Sequence, residues 1–182
     1  MLQMGGRGRR RAAALLSVRG CRYDAFMAAL TQMSYGGTAA IVTSMGLIVG
    51  FDTARASQAT LIGSLLLIAV ADNLADSLAI HAYQESERLA ARQAFQSTVT
   101  NFLARFLVAG SFVALVVALP LGRVMPAALV WGMGLLGVLT YFVARHRGVP
   151  PLIEVAKHLA VAVVVIVASR AIGTWILAHV SG

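Results

Sequence analysis

Five times between Phe26 and Leu177 the chain runs for about twenty residues with almost no charge, the length of helix that crosses a bilayer. The runs are Phe26–Phe51, Ala59–Ile80, Phe102–Leu121, Pro126–Ala144 and Val155–Leu177. A stretch such as "AVAVVVIVA" fits a buried strand by composition alone. Runs of this length, with four similar neighbours, favour helix. Hydrocarbon offers the backbone no hydrogen-bond partners, so an open sheet with unpaired edges cannot span it and a helix can. The expected fold is therefore an all-α integral membrane bundle of five transmembrane helices. Composition agrees: 59% of the residues are hydrophobic and 12% are charged, against about half and a quarter in an ordinary soluble domain.

The charge places this bundle in the membrane. Fifteen Lys and Arg face 7 Asp and Glu, for a formal net charge of +8. Such an excess can mark a nucleic-acid binder, but here the arginines bracket apolar runs, so no nucleic acid is expected. Arg7, Arg9, Arg10, Arg11, Arg19 and Arg22 precede the first run; Arg88 and Arg92 follow the second, with Arg105 just inside the third; Arg145, Arg147 and Lys157 separate the fourth from the fifth. The opposite side carries only Arg55 and Arg123. Positive loops stay in the cytoplasm, which puts the N-terminus inside and the C-terminus outside. Residues 1–25 read as a basic, largely disordered arm suited to anionic headgroups, and 26–182 as the membrane domain. The apolar core of the arm, Ala12–Val18, is short for a signal peptide and is followed by Arg19 and Arg22, so it reads as uncleaved. Cys21 is the single cysteine, which leaves no intramolecular disulfide. Glycines in "GMGLLG" and at Gly36, Gly37, Gly46 and Gly50 suit close helix contacts.

The second run contains what a membrane helix least tolerates. In "ADNLADSLAIHAYQESE", Asp72 and Asp76 appear before the apolar stretch ends, and His81, Glu85 and Glu87 come after them. On a regular helix Asp72, Asp76, Tyr83 and Glu87 share a face, with Asn73 and Gln84 beside it. An ionised carboxylate at membrane depth costs roughly 2.5–3.5 kcal/mol on the lenient insertion scale. Two carboxylates one turn apart also repel, so either one is protonated or a cation sits between them. Oxygen ligands suit Mg²⁺, Mn²⁺ or Fe²⁺. The structural alternative is an ion pair, with Arg170 in the fifth run as the partner for Asp72. One intramembrane arginine for two acids argues against both being purely structural. No nucleophile elbow, phosphate-binding loop or metalloprotease helix is present, so no enzymatic activity and no resident cofactor are expected.

Taken in order, these segments resemble the vacuolar iron transporter family of Fe²⁺/Mn²⁺ carriers. "YGGTAAIVTSMGLIVGF" is similar to the first-span motif, "NLADSLAI" to the second-span Leu-Ala-Asp-Gly-Ile-Ser-Met motif, Ser86-Glu87 to the Ser-Glu closing that helix, and "ASRAIGTWI" to the small-residue end of the fifth span. The family's first-span acid falls at Ala39, its second-span Met at Ile80, and the glutamates of its cytoplasmic extension are replaced after Glu87 by "RLAARQAFQ". The resemblance implies a homodimer with a cation path between the first two spans of each protomer. It also implies proton-coupled export of Fe²⁺ or Mn²⁺, here across a bacterial inner membrane. The metal ligands it leaves are Asp72, Asp76 and Glu87, with His81 and Glu85 as substitutes. The competing expectation is a non-transporting assembly or regulatory partner that keeps the fold without the metal site.

Overall fold

The computed structural model describes residues 36–86 and 91–180. Helix α1 occupies residues 36–53, α2 Gln58–Leu67, α3 Asn73–Ser86, α4 Ala91–Ala118, α5 Leu121–His146 and α6 Pro151–His179. A π-helical turn, Ile68–Asp72, joins α2 to α3 as one continuous rod. Among the described residues there is no strand. The all-α expectation holds. The basic arm 1–25 with Cys21 lies outside the described residues, as do Glu87 and the side chain of Glu85.

Four segments are long and apolar enough to cross a membrane: Gln58–Tyr83, Phe95–Ala118, Leu121–His146 and Pro151–His179. Their outer faces carry large apolar side chains that are more than half exposed, among them Leu67, Leu107, Val130, Val164 and Trp175. An apolar coat of this extent has no place on a soluble monomer. The molecule is an integral membrane protein.

Helix α1 is the core of the bundle. None of its described residues is exposed. Ile41, Met45 and Ile48 join Leu61 and Leu65 of α2, Phe112 and Val116 of α4, and Leu136 of α5 in one buried cluster. Helix α5 presents every fourth residue to it: Val124, Ala128, Gly132, Leu136, Thr140 and Ala144 are all buried. A ridge at this spacing fits the groove of a neighbouring helix when its side chains are small. A Cβ on Gly132 would strike the side chains of Met45 and Phe112, so three helices meet there. Helices α1 and α6 also touch through small residues: a Cβ on Gly173 would meet the Gly50 carbonyl and lie 2.9 Å from Thr53 Cβ. The close contact expected at Gly46 and Gly50 is present; Gly134 and Gly137 of "GMGLLG" instead face open space.

The helix ends shift from their sequence expectations for local reasons. Helix α4 starts at Ala91, well before Phe102, because the polar segment leading into the third run is itself helical. Helix α5 begins at Leu121 behind Pro120, so Pro126 lies inside it rather than at its start. The α5–α6 turn is a Schellman motif: Val149 N–H donates to Ala144 O, Gly148 N–H donates to Arg145 O, and Gly148 has φ +68°. The α1–α2 turn repeats this pattern, with Ala56 N–H to Phe51 O and Arg55 N–H to Asp52 O, but Arg55 holds the left-handed position at φ 58°. Ser57 then caps α2, its side chain accepting from Thr60 N–H at 3.1 Å.

Candidate functional site

Helices α3 and α4 meet along two polar stripes. On α4 the buried positions Ser97, Asn101 and Arg105 recur every fourth residue, and on α3 so do Asn73 and Ser77. His81, the next step along the α3 stripe, is half-buried. Asn73 Nδ2 donates to Phe102 O at 2.8 Å and ties the helices together at the deep end of the seam. Gln58 Nε2 does the same higher up, donating to Val116 O at 2.6 Å. Gly36 brings α1 against this seam, where an added Cβ would collide with Asn101 and lie 2.7 Å from Arg105 Cγ.

The π turn decides which α3 residues enter the seam. One extra residue in a helix rotates everything after it by about 100°. The buried line of the α2–α3 rod therefore runs Leu61, Leu65, Ala69, Asn73, Ser77, in steps of four. In an unbroken α-helix, Asp72 and Asp76 would continue the line from Leu61 and Leu65. The turn moves both to its flank and brings the two neutral side chains inward. This corrects the expectation that Asn73 merely flanks an acidic face. Tyr83, expected on the same face, is exposed.

From the flank both acids reach one cation. Arg105 Nη2 donates to Asp72 Oδ2 at 2.8 Å, and its Nη1 donates to Asp76 Oδ2. The guanidinium is buried, its side chain 6% exposed, while each carboxylate is 48% exposed. The partner of Asp72 is thus Arg105, not Arg170, which sits on α6. One arginine does engage both acids, because two carboxylates one turn apart fit the two prongs of a guanidinium. The three charges sum to −1.

The seam leaves further polar atoms unpaired. Asn73 Oδ1, Ser77 Oγ, both carboxamide atoms of Asn101 and Arg105 Nε are buried without a hydrogen-bond partner among the described residues. Each such group costs about 1–3 kcal/mol if it stays dry. Of the expected metal ligands, the structure brings together Asp72 and Asp76; His81 lies on the adjoining stripe, and Glu87 and the Glu85 side chain fall outside the described residues. Among the described residues no three His, Cys, Asp or Glu side chains gather as a metal cage would. Ala39 lines a separate cavity between α1, α5 and α6. Read as sequence, Arg105 is only a topology charge, and Ser77, Ser97 and Asn101 do not stand out. The spacing of four in Ser97, Asn101 and Arg105 is the signal that marks them.

No family model, curated protein or solved structure matches the chain. Its function is therefore read from this geometry.

Proposed function

We propose that this protein carries cations across a membrane, with Asp72, Asp76 and Arg105 as the charge cluster that binds and releases them. The observation that carries the reading is the pairing of one buried guanidinium with two half-exposed carboxylates. The cluster keeps a net negative charge at membrane depth, where an unneutralised carboxylate is expensive. A proton or an arriving cation removes that cost. A cation that takes a carboxylate oxygen displaces Arg105 from it, so binding has two discrete states. The unpaired atoms of Asn73, Ser77 and Asn101 support a hydrated approach, since buried water collects where several polar groups lack partners. That approach lies between α3 and α4 of one protomer, not between protomers.

Fe²⁺ or Mn²⁺ is the proposed cargo, coupled to protons in export from the cytoplasm across a bacterial inner membrane. Carboxylate and amide oxygens are the donor class these ions accept. Five spans with the N-terminus inside follow from the basic loops, α1 being the fifth helix. The homodimer proposed with this reading is placed on the α2–α3 rod, because the described part of α1 is largely covered by its own chain. The side of the α2–α3 rod bearing Asp72, Ala75 and Ala79 is exposed, and a half-exposed carboxylate needs protein or water beside it.

The second reading, a non-transporting membrane partner, is favoured by one fact: both acids already hold Arg105. Flux of Mn²⁺, Fe²⁺ and Zn²⁺ into liposomes across a pH gradient separates the two. Transport predicts metal flux in the wild type and its loss in Asp76→Asn and Asp72→Asn, with expression retained. Absence of flux from correctly folded wild type, or full flux in both variants, sinks the transport site.

A further inference from the structure

A second polar feature lies away from the seam. Between α1, α5 and α6 is a cavity of ≈ 530 Å³ with aliphatic walls, including Val42, Leu139 and Val143. A site of this size holds a small organic molecule or a lipid headgroup. Thr140 lines its inner part and is 7% exposed, and its hydroxyl has no hydrogen-bond partner among the described residues. Other helical threonines satisfy themselves on their own helix: Thr53 donates to Val49 O at 2.7 Å, Thr100 to Gln96 O at 2.8 Å and Thr174 to Arg170 O at 2.9 Å. Thr140 does not, although its side chain lines the cavity.

The rim supplies charge. Arg147 ends α5 two turns beyond Thr140, about 10 Å along the axis. Glu154 and His158 rise opposite on α6. The Glu154 carboxylate is taken by Lys157 Nζ at 2.8 Å. Arg147 makes no ion pair among the described residues, so with Lys157 the rim sets two cations against the one carboxylate of Glu154. The Nδ1 of His158 sits 2.9 Å from Glu154 O, which leaves Nε2 as the nitrogen open to a ligand. An aliphatic chamber with a positive rim and one inward hydroxyl donor selects a particular chemistry. Its ligand carries an anionic phosphate, an ester or similar carbonyl below it, and an apolar part.

We infer that this cavity binds the headgroup and glycerol ester of an anionic phospholipid. The phosphate pairs with Arg147, an ester carbonyl accepts from Thr140, and the acyl chains leave along the aliphatic wall. The basic-loop orientation puts this rim at the cytoplasmic leaflet, where anionic lipid is met. Such a lipid site stands whether or not Asp72 and Asp76 carry cations.

The test uses the full chain in a neutral detergent, with binding followed by the rise in melting temperature on adding short-chain phosphatidylglycerol, phosphatidylcholine or inorganic phosphate. Phosphatidylglycerol is expected to bind most tightly; phosphatidylcholine, whose choline adds a cation at a positive rim, and inorganic phosphate, which lacks the ester and the acyl chains, should each bind at least about tenfold more weakly. Arg147→Gln should weaken phosphatidylglycerol about tenfold and Thr140→Val about threefold or more, for a charged and a neutral hydrogen bond respectively. Thr140→Ser should retain binding, and Arg123→Gln, at the other end of α5, should leave it unchanged. Equal protection by inorganic phosphate would assign the cavity to a soluble phosphate and overturn the lipid. Equal protection by phosphatidylcholine, or equal loss in Arg123→Gln and Arg147→Gln, would reduce the effect to general lipid or charge. The wild-type comparison decides even if Thr140→Val fails to fold.

Discussion

Arg105 is the one buried cation that Asp72 and Asp76 share among the described residues. Removing it leaves two carboxylates one turn apart with no cation, and breaking a buried pair costs roughly 3–5 kcal/mol. The acids here are half exposed, which brings the expectation to the lower end of that range. Arg105→Gln should therefore lower the yield of folded protein, and Asp72→Asn with Asp76→Asn should restore it, measured by expression and size-exclusion profile in detergent. Failure of the triple variant to recover would mean that Arg105 is held for something other than these acids. Two turn residues give a cleaner stability comparison. Arg55 and Gly148 occupy equivalent left-handed positions, a conformation that costs a residue bearing Cβ about 1 kcal/mol. Arg55→Gly should raise the melting temperature, and Gly148→Ala should lower it by a similar amount.

At the level of elements, the π turn is the device that sets the site. It carries one residue more than a regular helix needs, and that residue sets the faces on either side of it. Deleting Ala71, which is exposed, should convert the turn to α-helix and keep Leu61, Leu65, Asn73 and Ser77 on one line. Inserting an alanine there should rotate α3 by about 100° and turn Asn73 and Ser77 out of the seam. The measurement is the fraction of folded protein for each length variant. Equal behaviour of the two would show that the line of fours does not control folding. The α1–α6 crossing is the other sensitive element. Gly173→Leu has no room beside Gly50 and Thr53, and overpacking of this kind costs typically about 1–3 kcal/mol. Gly134→Leu, in open space, should be tolerated in the same melting assay.

On the scale of the whole molecule, the predictions concern orientation and assembly. A reporter active only in the cytoplasm should be silent when fused after Gly182, and a signal there would require an even number of spans. In a Cys21→Ser background, single cysteines at Ala75 or Ala79 should crosslink between protomers in membranes, because both positions are exposed and fall on the Asp72 side of the helix. A cysteine at Met45, fully buried among its own helices, should not. Crosslinking confined to α6 positions such as Val164 would move the interface and leave Asp72 to water instead of a partner.

The sequence alone determined the features that transfer energies dictate. Apolar runs of spanning length specify helices, whatever surrounds them, and Asp72 and Asp76 are conspicuous because hydrocarbon penalises charge at any position along them. The glycine at Gly148 and the Pro150–Pro151 break likewise mark the α5–α6 turn by local backbone preference. Which cation meets the acids was not legible. Arg105 and Arg170 are equivalent as letters in apolar runs, and only the antiparallel register of α3 against α4 brings Arg105 into reach. The face that Asp72 and Asp76 occupy was not legible either, because a regular 100° step per residue assigns them to the buried line. A single π turn, stabilised by the packing of the helices around it, exchanges them for Asn73 and Ser77. Local energetics chose the elements; their register against one another placed the charges.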